Sequence, residues 1–469
     1  MKLFLSSIRY YTCVLIPTLV FIVVSALDFI SIPGMWWAHE SLAIQALTVW
    51  VLLSLAAHFL VSIVGMLRFG APQAQNTMNI ERLRREGWDP CKRLVVSFVS
   101  QGIQESVLRV SVERAIAICR QRGVRFEIEI VVDTRVPSDP FFSNSECSIV
   151  PVPARFETAN RSRFKARSLS YAAHMRAERL KDIDQTWVLH CDEDTMLTES
   201  AIAGIHAHLS QADSQIVCGA GEIKYNATDG GLFDIFSFMD CHRTGEDLGR
   251  FRTQFAGCEA ALFGAHGSFV LVPANLERHV DFDFGPHGSI TEDIYFALRL
   301  RELGIPFRWI EGYVREQSPS DPSNFLRQRA RWIHGLLNGC LDRAFSWKRR
   351  AVLLVYLAMW RTTIVSGAIL TWVVLVSGWS VHTTALWSLS MLVVGTNAWV
   401  GALRNIEEDS SEGLAHSIAK LALSVALIPI VCLFESVAVV LGLMSRPQDF
   451  FVVQKVMPRK LARGSIAYL

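Results

Sequence analysis

The residues of this chain best suited to chemistry lie in four short runs. In Thr186-Trp-Val-Leu-His-Cys-Asp-Glu-Asp-Thr195 an apolar stretch, Trp187 to Leu189, reads as a buried strand and ends on Asp192, Glu193 and Asp194. In an open α/β sheet ligands sit outside the carboxyl ends of the strands, so carboxylates there are placed to meet a substrate or a metal. Hard carboxylate oxygens suit Mg²⁺ or Mn²⁺, and two of them beside a diphosphate can complete the coordination of such an ion. An Asp-x-Asp is equally common as a solvated turn or a helix cap, so the cluster needs company. It has Asp133 upstream, then Thr291-Glu292-Asp293 and Gln328-Arg329-Ala330-Arg331-Trp332 downstream. Each of these also has a plainer reading. Asp133 suits a strand-end turn. Glu292 and Asp293 suit the cap of a helix over Ile294 to Leu303 stopped by Gly304. Arg and Trp just before a membrane segment often anchor at the interface. His266 and His334 lie close by and are assigned no role.

These residues need a scaffold, and the chain supplies one between Cys91 and Ser346. Leu94 to Val99 reads as a strand, Glu105 to Cys119 as a helix stopped at Gly123, and Phe126 to Val132 as a strand ending on Asp133. Ile149 to Val152 is a short strand, and a helix from Lys165 to Leu180 leads to the acidic strand. Ala201 to Leu209 then reads as helix and Ile216 to Tyr225 as strand. Beyond them the pattern loosens into an amphipathic helix near Phe233 to Asp247 and the segment Phe263 to Val272. Strand and helix in alternation predict a mostly parallel sheet of the nucleotide-binding type.

Apolar segments flank this domain. Of 469 residues 51% are hydrophobic and 19% charged, with mean hydropathy +0.28, too apolar for an ordinary soluble protein. Residues 1–70 hold two apolar runs, Tyr11 to Leu27 and Leu42 to Met66, read as a hairpin of membrane helices. The loop between them has Asp28 and Glu40 but no Lys or Arg, whereas Lys2, Arg9 and Arg68 flank the pair, which predicts a cytosolic N-terminus and a cytosolic domain after Arg68. Residues 347–445 are apolar again: Ala351 to Gly378 interrupted by Arg361, Ala385 to Ala402, an acidic loop at Glu407 to Asp409, and Leu421 to Met444 with Pro429 and Glu435. A basic tail, residues 446–469, should also be cytosolic. Three crossings would leave that tail outside, so one segment is expected to be interfacial or re-entrant, with Arg361 and Pro429 marking the choices. The net charge of +2 and the lack of a basic, aromatic-interleaved stripe speak against nucleic acid as a partner. Ten cysteines without paired spacing indicate neither a disulfide framework nor a zinc site, in keeping with a reducing cytosol.

The four runs stand in the order used for sugar transfer. The chain resembles the membrane-integrated, inverting family 2 glycosyltransferases, the group of cellulose and hyaluronan synthases, and within it the egghead-type β-1,4-mannosyltransferases. The nearer likeness lies in Phe164-Lys-Ala-Arg-Ser168, Gly267-Ser-Phe-Val270, Ile310-Glu-Gly312, Glu435-Ser-Val-Ala-Val439 and Phe451-Val-Val-Gln-Lys455. Where egghead-like proteins have Glu at the third acidic place, this chain has Asp194, which keeps the charge.

The resemblance implies a GT-A-like domain over residues 91–346 between transmembrane helices, and a role for each run. Asp133 would hold the base or ribose of a nucleotide-sugar donor, and Lys165 its phosphates. Asp192 and Asp194 would bind a divalent metal, Mn²⁺ or Mg²⁺. Asp293 would be the general base, Gln328, Arg329 and Arg331 would lie over the diphosphate, and Trp332 with Glu292 would meet the acceptor. Phe450 to Lys455 resembles a loop that covers the donor site. The donor implied is GDP-mannose and the acceptor a lipid-linked sugar such as glucosylceramide, with the endoplasmic reticulum or Golgi as location in a eukaryote and the plasma membrane in a bacterium. A processive β-glycan synthase and exporter is the alternative, since Gln-Arg-Ala-Arg-Trp is typical of polymerising relatives.

Overall fold

The computed structural model describes residues 42–69, 72–211, 217–226, 235–319, 321–377, 381–406 and 414–444. The expected first membrane run, the acidic loop at 407–409, and the basic tail with Phe450 to Lys455 lie outside these residues.

The expected alternation is present. β1 (Arg93–Ser100), β2 (Phe126–Val132), β3 (Cys147–Pro151) and β4 (Thr186–Asp192) are separated by α3 (Glu105–Gln121) and α4 (Phe164–Arg179). They pair in parallel in the order β3-β2-β1-β4, and α5 (Glu199–Gln211) follows. Apolar residues on both faces of β1 and β4 make them central strands, and α3 covers one face with Val107, Leu108, Val112, Ala115 and Ile116. Each of the Val, Leu and Ile side chains contributes about 1.5–3 kcal/mol when fully buried.

The second half of the sheet was less visible in the sequence. β5 (Cys218–Asn226), β6 (Val270–Pro273) and β7 (Phe307–Gln317) complete seven strands in the order β3-β2-β1-β4-β6-β5-β7. β6 runs antiparallel to β4 and β5, while β5 and β7 are parallel. With only four residues, β6 is too short for a periodic signal. In β7, Arg308, Glu311, Arg315 and Glu316 break up the apolar pattern, and burial is tolerable because partners exist: Glu311 with Arg252, and Glu316 with Ser268.

Among the described residues, two helices are long and apolar enough to cross a membrane. They are Val49–Phe69, which joins α1 (Leu42–Phe59) to a π-turn and a last helical turn, and Trp347–Trp372 within α9 (Trp347–Ser377). A third crossing is available if α11 (Leu414–Ala426) and α12 (Ile428–Met444), bent by 47° at the break before Pro429, act as one. Helix α9 runs unbroken through Arg361, so the interruption falls at Pro429. The run expected at Ala385 to Ala402 lies in α10 (Val381–Ile406), which is not among the spans. It packs instead on α6 (Ile235–Glu246), where a Cβ on Gly401 would come within 1.7 Å of the Cys241 carbonyl, and its Arg404 pairs with Glu222 of β5 at 2.9 Å. Intramembrane charge is likewise matched, since Arg361 and Glu435 pair at 3.0 Å.

Candidate active site

The parallel strands deliver their carboxyl ends to one rim of the sheet, and a cavity opens there. It is lined by Ser100 and Gln101 after β1, Asp133 after β2, Asp192 to Asp194 after β4, and Glu316 and Gln317 at the end of β7. Two helices close over it. These are α7 (Glu292–Glu302), with Glu292 and Asp293 in its first turn, and α8 (Pro322–Leu341), carrying Gln328 to Trp332. All ten residues singled out in the sequence line this one cavity.

The acidic triplet divides its work. The Asp192 amide donates to Thr195 Oγ1 at 2.9 Å, which turns the chain sharply after β4. Glu193 points back to β1, accepting from Ser100 Oγ at 2.6 Å and Gln104 Nε2 at 2.7 Å. Asp194 Oδ2 accepts from the Gln317 amide at 2.9 Å, tying the triplet to β7. The Asp192 side chain keeps 40% of its surface exposed on the cavity side.

Lys165, Asp192 and Asp293 surround Gly267, where a Cβ would stand 3.1 Å from Lys165 Nζ, 3.3 Å from Asp293 Oδ2 and 3.9 Å from Asp192 Oδ2. Lys165 donates to Asp192 Oδ1 at 2.5 Å and to the Gly267 carbonyl at 3.1 Å, and lies 3.4 Å from Glu292. Burial works against its charge, but Asp192 and Glu292 more than offset that and hold the ammonium above the ordinary lysine value. Two non-glycine residues beside the site adopt left-handed backbone, Phe164 with φ 55° and Phe269 with φ 52°. Each conformation costs about 1–2 kcal/mol and is kept where the surroundings over-determine it, as at functional sites.

Asp293 is tuned toward neutrality. Burial and then the neighbouring Glu292 raise its pKa from 3.8 to about 7, against the opposing pull of Lys165, the Ile294 amide and Arg331. A carboxylate poised near neutral pH suits general-base work. The capping role expected of the pair is not what the structure shows: Thr291 is the N-cap, the helix begins at Glu292, and Glu292 and Asp293 fill its first turn, with Asp293 Oδ1 accepting from the adjacent Ile294 amide at 2.8 Å and Gly304, φ 72°, following the last turn.

The remaining residues are placed less uniformly. Asp133 forms an ion pair with Arg167. Arg331 donates to the Ile290 carbonyl at 3.2 Å and is close enough to act on Asp293. Two guanidinium groups, Arg243 and Arg329, lie over the Trp332 ring, each 4.4 Å from its centre. Arg329 has another engagement than the one expected of it. Fully buried, it is ion-paired with Asp240 of α6 and with Glu435 of α12 at 2.8 Å, while Gln328 accepts its remaining donor at 2.7 Å.

Among the described residues no three His, Cys, Asp or Glu side chains converge on a point that could hold a metal ion. The two carboxylates at the rim do fit a hard cation whose coordination is completed by ligand oxygens, because both border the same opening and Asp192 is exposed to it.

The cavity also has an inner end that the sequence did not announce. It reaches Tyr356, Trp360 and Ile364, which four-residue spacing puts on one stripe of the membrane-length helix α9. Facing them are Arg243, Glu246 and Arg250, spaced i, i+3 and i+7 from α6 into the π-turn Asp247–Phe251. That spacing was the available signal: three charges at helical spacing in a segment that also carries Asp240, His242 and Asp247.

The sequence matches the family Glycosyl transferase family group 2 over residues 187–402. It is 30% identical over 366 residues to the β-1,4-mannosyltransferase egh of Drosophila melanogaster, covering 77% of this chain and 78% of that protein. It is 29% identical over 363 residues to the β-1,4-mannosyltransferase bre-3 of Caenorhabditis elegans, covering 76% and 77% respectively. The chain therefore belongs to glycosyltransferase family group 2, the family of the β-1,4-mannosyltransferases it is similar to.

Proposed function

We propose that this glycosyltransferase adds one sugar, mannose from GDP-mannose, in β-1,4 linkage to a glycolipid such as glucosylceramide, working from the cytosolic face of the membrane. The observation that carries this reading is the continuity of the cavity. A ligand passing from Asp192 and Asp293 toward its inner end meets a helix long enough to cross a bilayer. An acceptor with a lipid tail needs that arrangement, and the names of the relatives supply the sugar and the linkage.

The chemistry follows from the placement of the residues. The nucleotide lies across the ends of β1, β2 and β4, with Asp133 toward the base or ribose and Lys165 toward the phosphates. Asp293 takes the proton of the acceptor hydroxyl as that oxygen bonds to the anomeric carbon. The bond from that carbon to the diphosphate breaks on the opposite face, and its electron pair leaves with the nucleoside diphosphate. One displacement inverts the centre, so an α-linked donor gives a β-linkage, the stereochemical logic shared with inverting glycosidases. Arg331 and Gln328 face the growing negative charge. Mn²⁺ or Mg²⁺ held by Asp192 and Asp194 would supply Lewis-acid stabilisation of the departing diphosphate. Trp332 and Glu292 border the acceptor sugar.

The test is nucleoside diphosphate release by purified protein in lipid, across GDP-mannose, UDP-glucose and UDP-N-acetylglucosamine, with and without a glucosyl lipid. Release that needs both GDP-mannose and the lipid supports the reading. Sustained release without lipid, with a growing polymer, would make the protein a processive synthase.

A further inference from the structure

The inner end of the cavity holds an arginine whose bonding is incomplete. Arg250 sits on the π-turn that follows α6, in the kind of local helix widening that concentrates at functional sites. Its Nη2 donates to Glu246 at 2.8 Å, and its guanidinium lies over the Trp360 ring at 4.3 Å. Trp360 in turn donates to the other Glu246 oxygen at 2.8 Å and stacks on Tyr356, which stacks on Phe263. The guanidinium is thus fixed in position by both the catalytic domain and the membrane-length helix. Yet Nε and Nη1 of Arg250, in a residue only 7% exposed, have no hydrogen-bond partner. A buried unpaired donor is destabilising, and a ligand oxygen arriving in the cavity would satisfy it.

The charges nearby decide what kind of ligand that is. Arg250 is already neutralised by Glu246, Arg329 by Asp240 and Glu435, and Arg361 by Glu435, while Arg243 has Asp240 at 3.9 Å. Asp247, which acts on both Arg243 and Arg250, makes four carboxylates to these four guanidinium groups, so a phosphate here would bring a further anion beside Glu246 and Glu435 with no cation in excess to meet it. A hydroxyl or carbonyl oxygen asks only for the two donors.

We propose that Arg250 is an acceptor-binding residue, and that the inner end of the cavity is a subsite for the uncharged, hydroxyl-bearing group joining the acceptor's sugar to its lipid, which selects against phosphate-linked acceptors. This rests on the glycolipid reading above and adds the acceptor's linkage to it.

The experiment compares two glucosyl lipids in vesicles with the full-length protein: glucosylceramide, whose linkage is neutral, and glucosyl phosphoryl polyprenol. The wild-type protein should use the neutral lipid with kcat/KM at least tenfold higher. Arg250→Lys keeps the charge opposite Glu246 but loses the planar donors. It should raise KM for the neutral lipid about tenfold or more, while KM for the nucleotide sugar stays within twofold. A preference for the phosphate-linked lipid, an unchanged acceptor KM, or an equal rise in both KM values would overturn the proposal. The wild-type comparison needs no variant, so it stands even if Arg250→Lys fails to fold. Transfer to neither lipid, with nucleotide binding intact, would defeat the glycolipid reading itself and this subsite with it.

Discussion

Asp293→Asn should nearly abolish turnover and at the same time make the protein more stable above neutral pH. Both effects come from one feature, a carboxyl group whose pKa is raised from 3.8 to about 7 by burial and by Glu292. Below about pH 4 the folded and unfolded chains both hold the proton, and ionisation has no effect on stability. Between about pH 4 and 7 the unfolded chain has released the proton and the folded chain has not, so folding stability falls as pH rises. Above pH 7 the loss is constant, at most about 4 kcal/mol, since each tenfold in proton affinity is about 1.4 kcal/mol. Asparagine never ionises and escapes this loss. Melting in detergent should therefore show Asp293→Asn gaining on the wild type between pH 5 and pH 8. Removing a general base should lower kcat about 10²- to 10⁴-fold, and the wild-type kcat should rise with pH to about 7 and then level off. A variant that kept turnover within tenfold and still showed the limb near pH 7 would refute Asp293 as the base. A stability difference equal at pH 5 and pH 8 would refute the electrostatic account of it.

Lys165 lowers the proton affinity of Asp293, so Lys165→Met should move the acid limb of the pH–rate profile above pH 7; a limb that moved down would contradict the placement. Arg329→Met removes the cation shared by Asp240 and Glu435, a loss of up to roughly 3–5 kcal/mol, reduced by the Arg243 and Arg361 that each carboxylate keeps. The melting temperature should fall sharply while nucleotide affinity of the folded fraction holds. A stable variant with weakened nucleotide binding would instead assign Arg329 to the diphosphate. Asp192→Asn combined with Asp194→Asn should remove the Mn²⁺-dependent part of donor binding, measured calorimetrically, and unchanged affinity in Mn²⁺ would count against a metal there.

Much of the donor half of the site could be read from the sequence, because strand-end carboxylates follow directly from apolar runs that stop on Asp133 and Asp192. The acceptor half could not. Tyr356, Trp360 and Ile364 belong to a helix apolar on every side, where nothing local distinguishes a lipid-facing ring from one turned into a cavity. The ion pairs of Arg329 were illegible for a similar reason. Its motif suggests phosphate, but its buried partners Asp240 and Glu435 lie 89 and 106 residues away. Pro429 did mark the helix break, since a proline inside a helix acts locally. Arg361 did not mark one, because Glu435 supplies its partner from another helix.

The most direct test of the central claim is the mass of the product formed from GDP-mannose and a glucosyl lipid in vesicles. A cavity joining Asp293 to the Tyr356, Trp360 and Ile364 stripe of α9 predicts the acceptor lipid enlarged by one hexose, with no longer species at extended times. A ladder of larger products, or free polysaccharide with the lipid untouched, would contradict the account and make the membrane helices an export path.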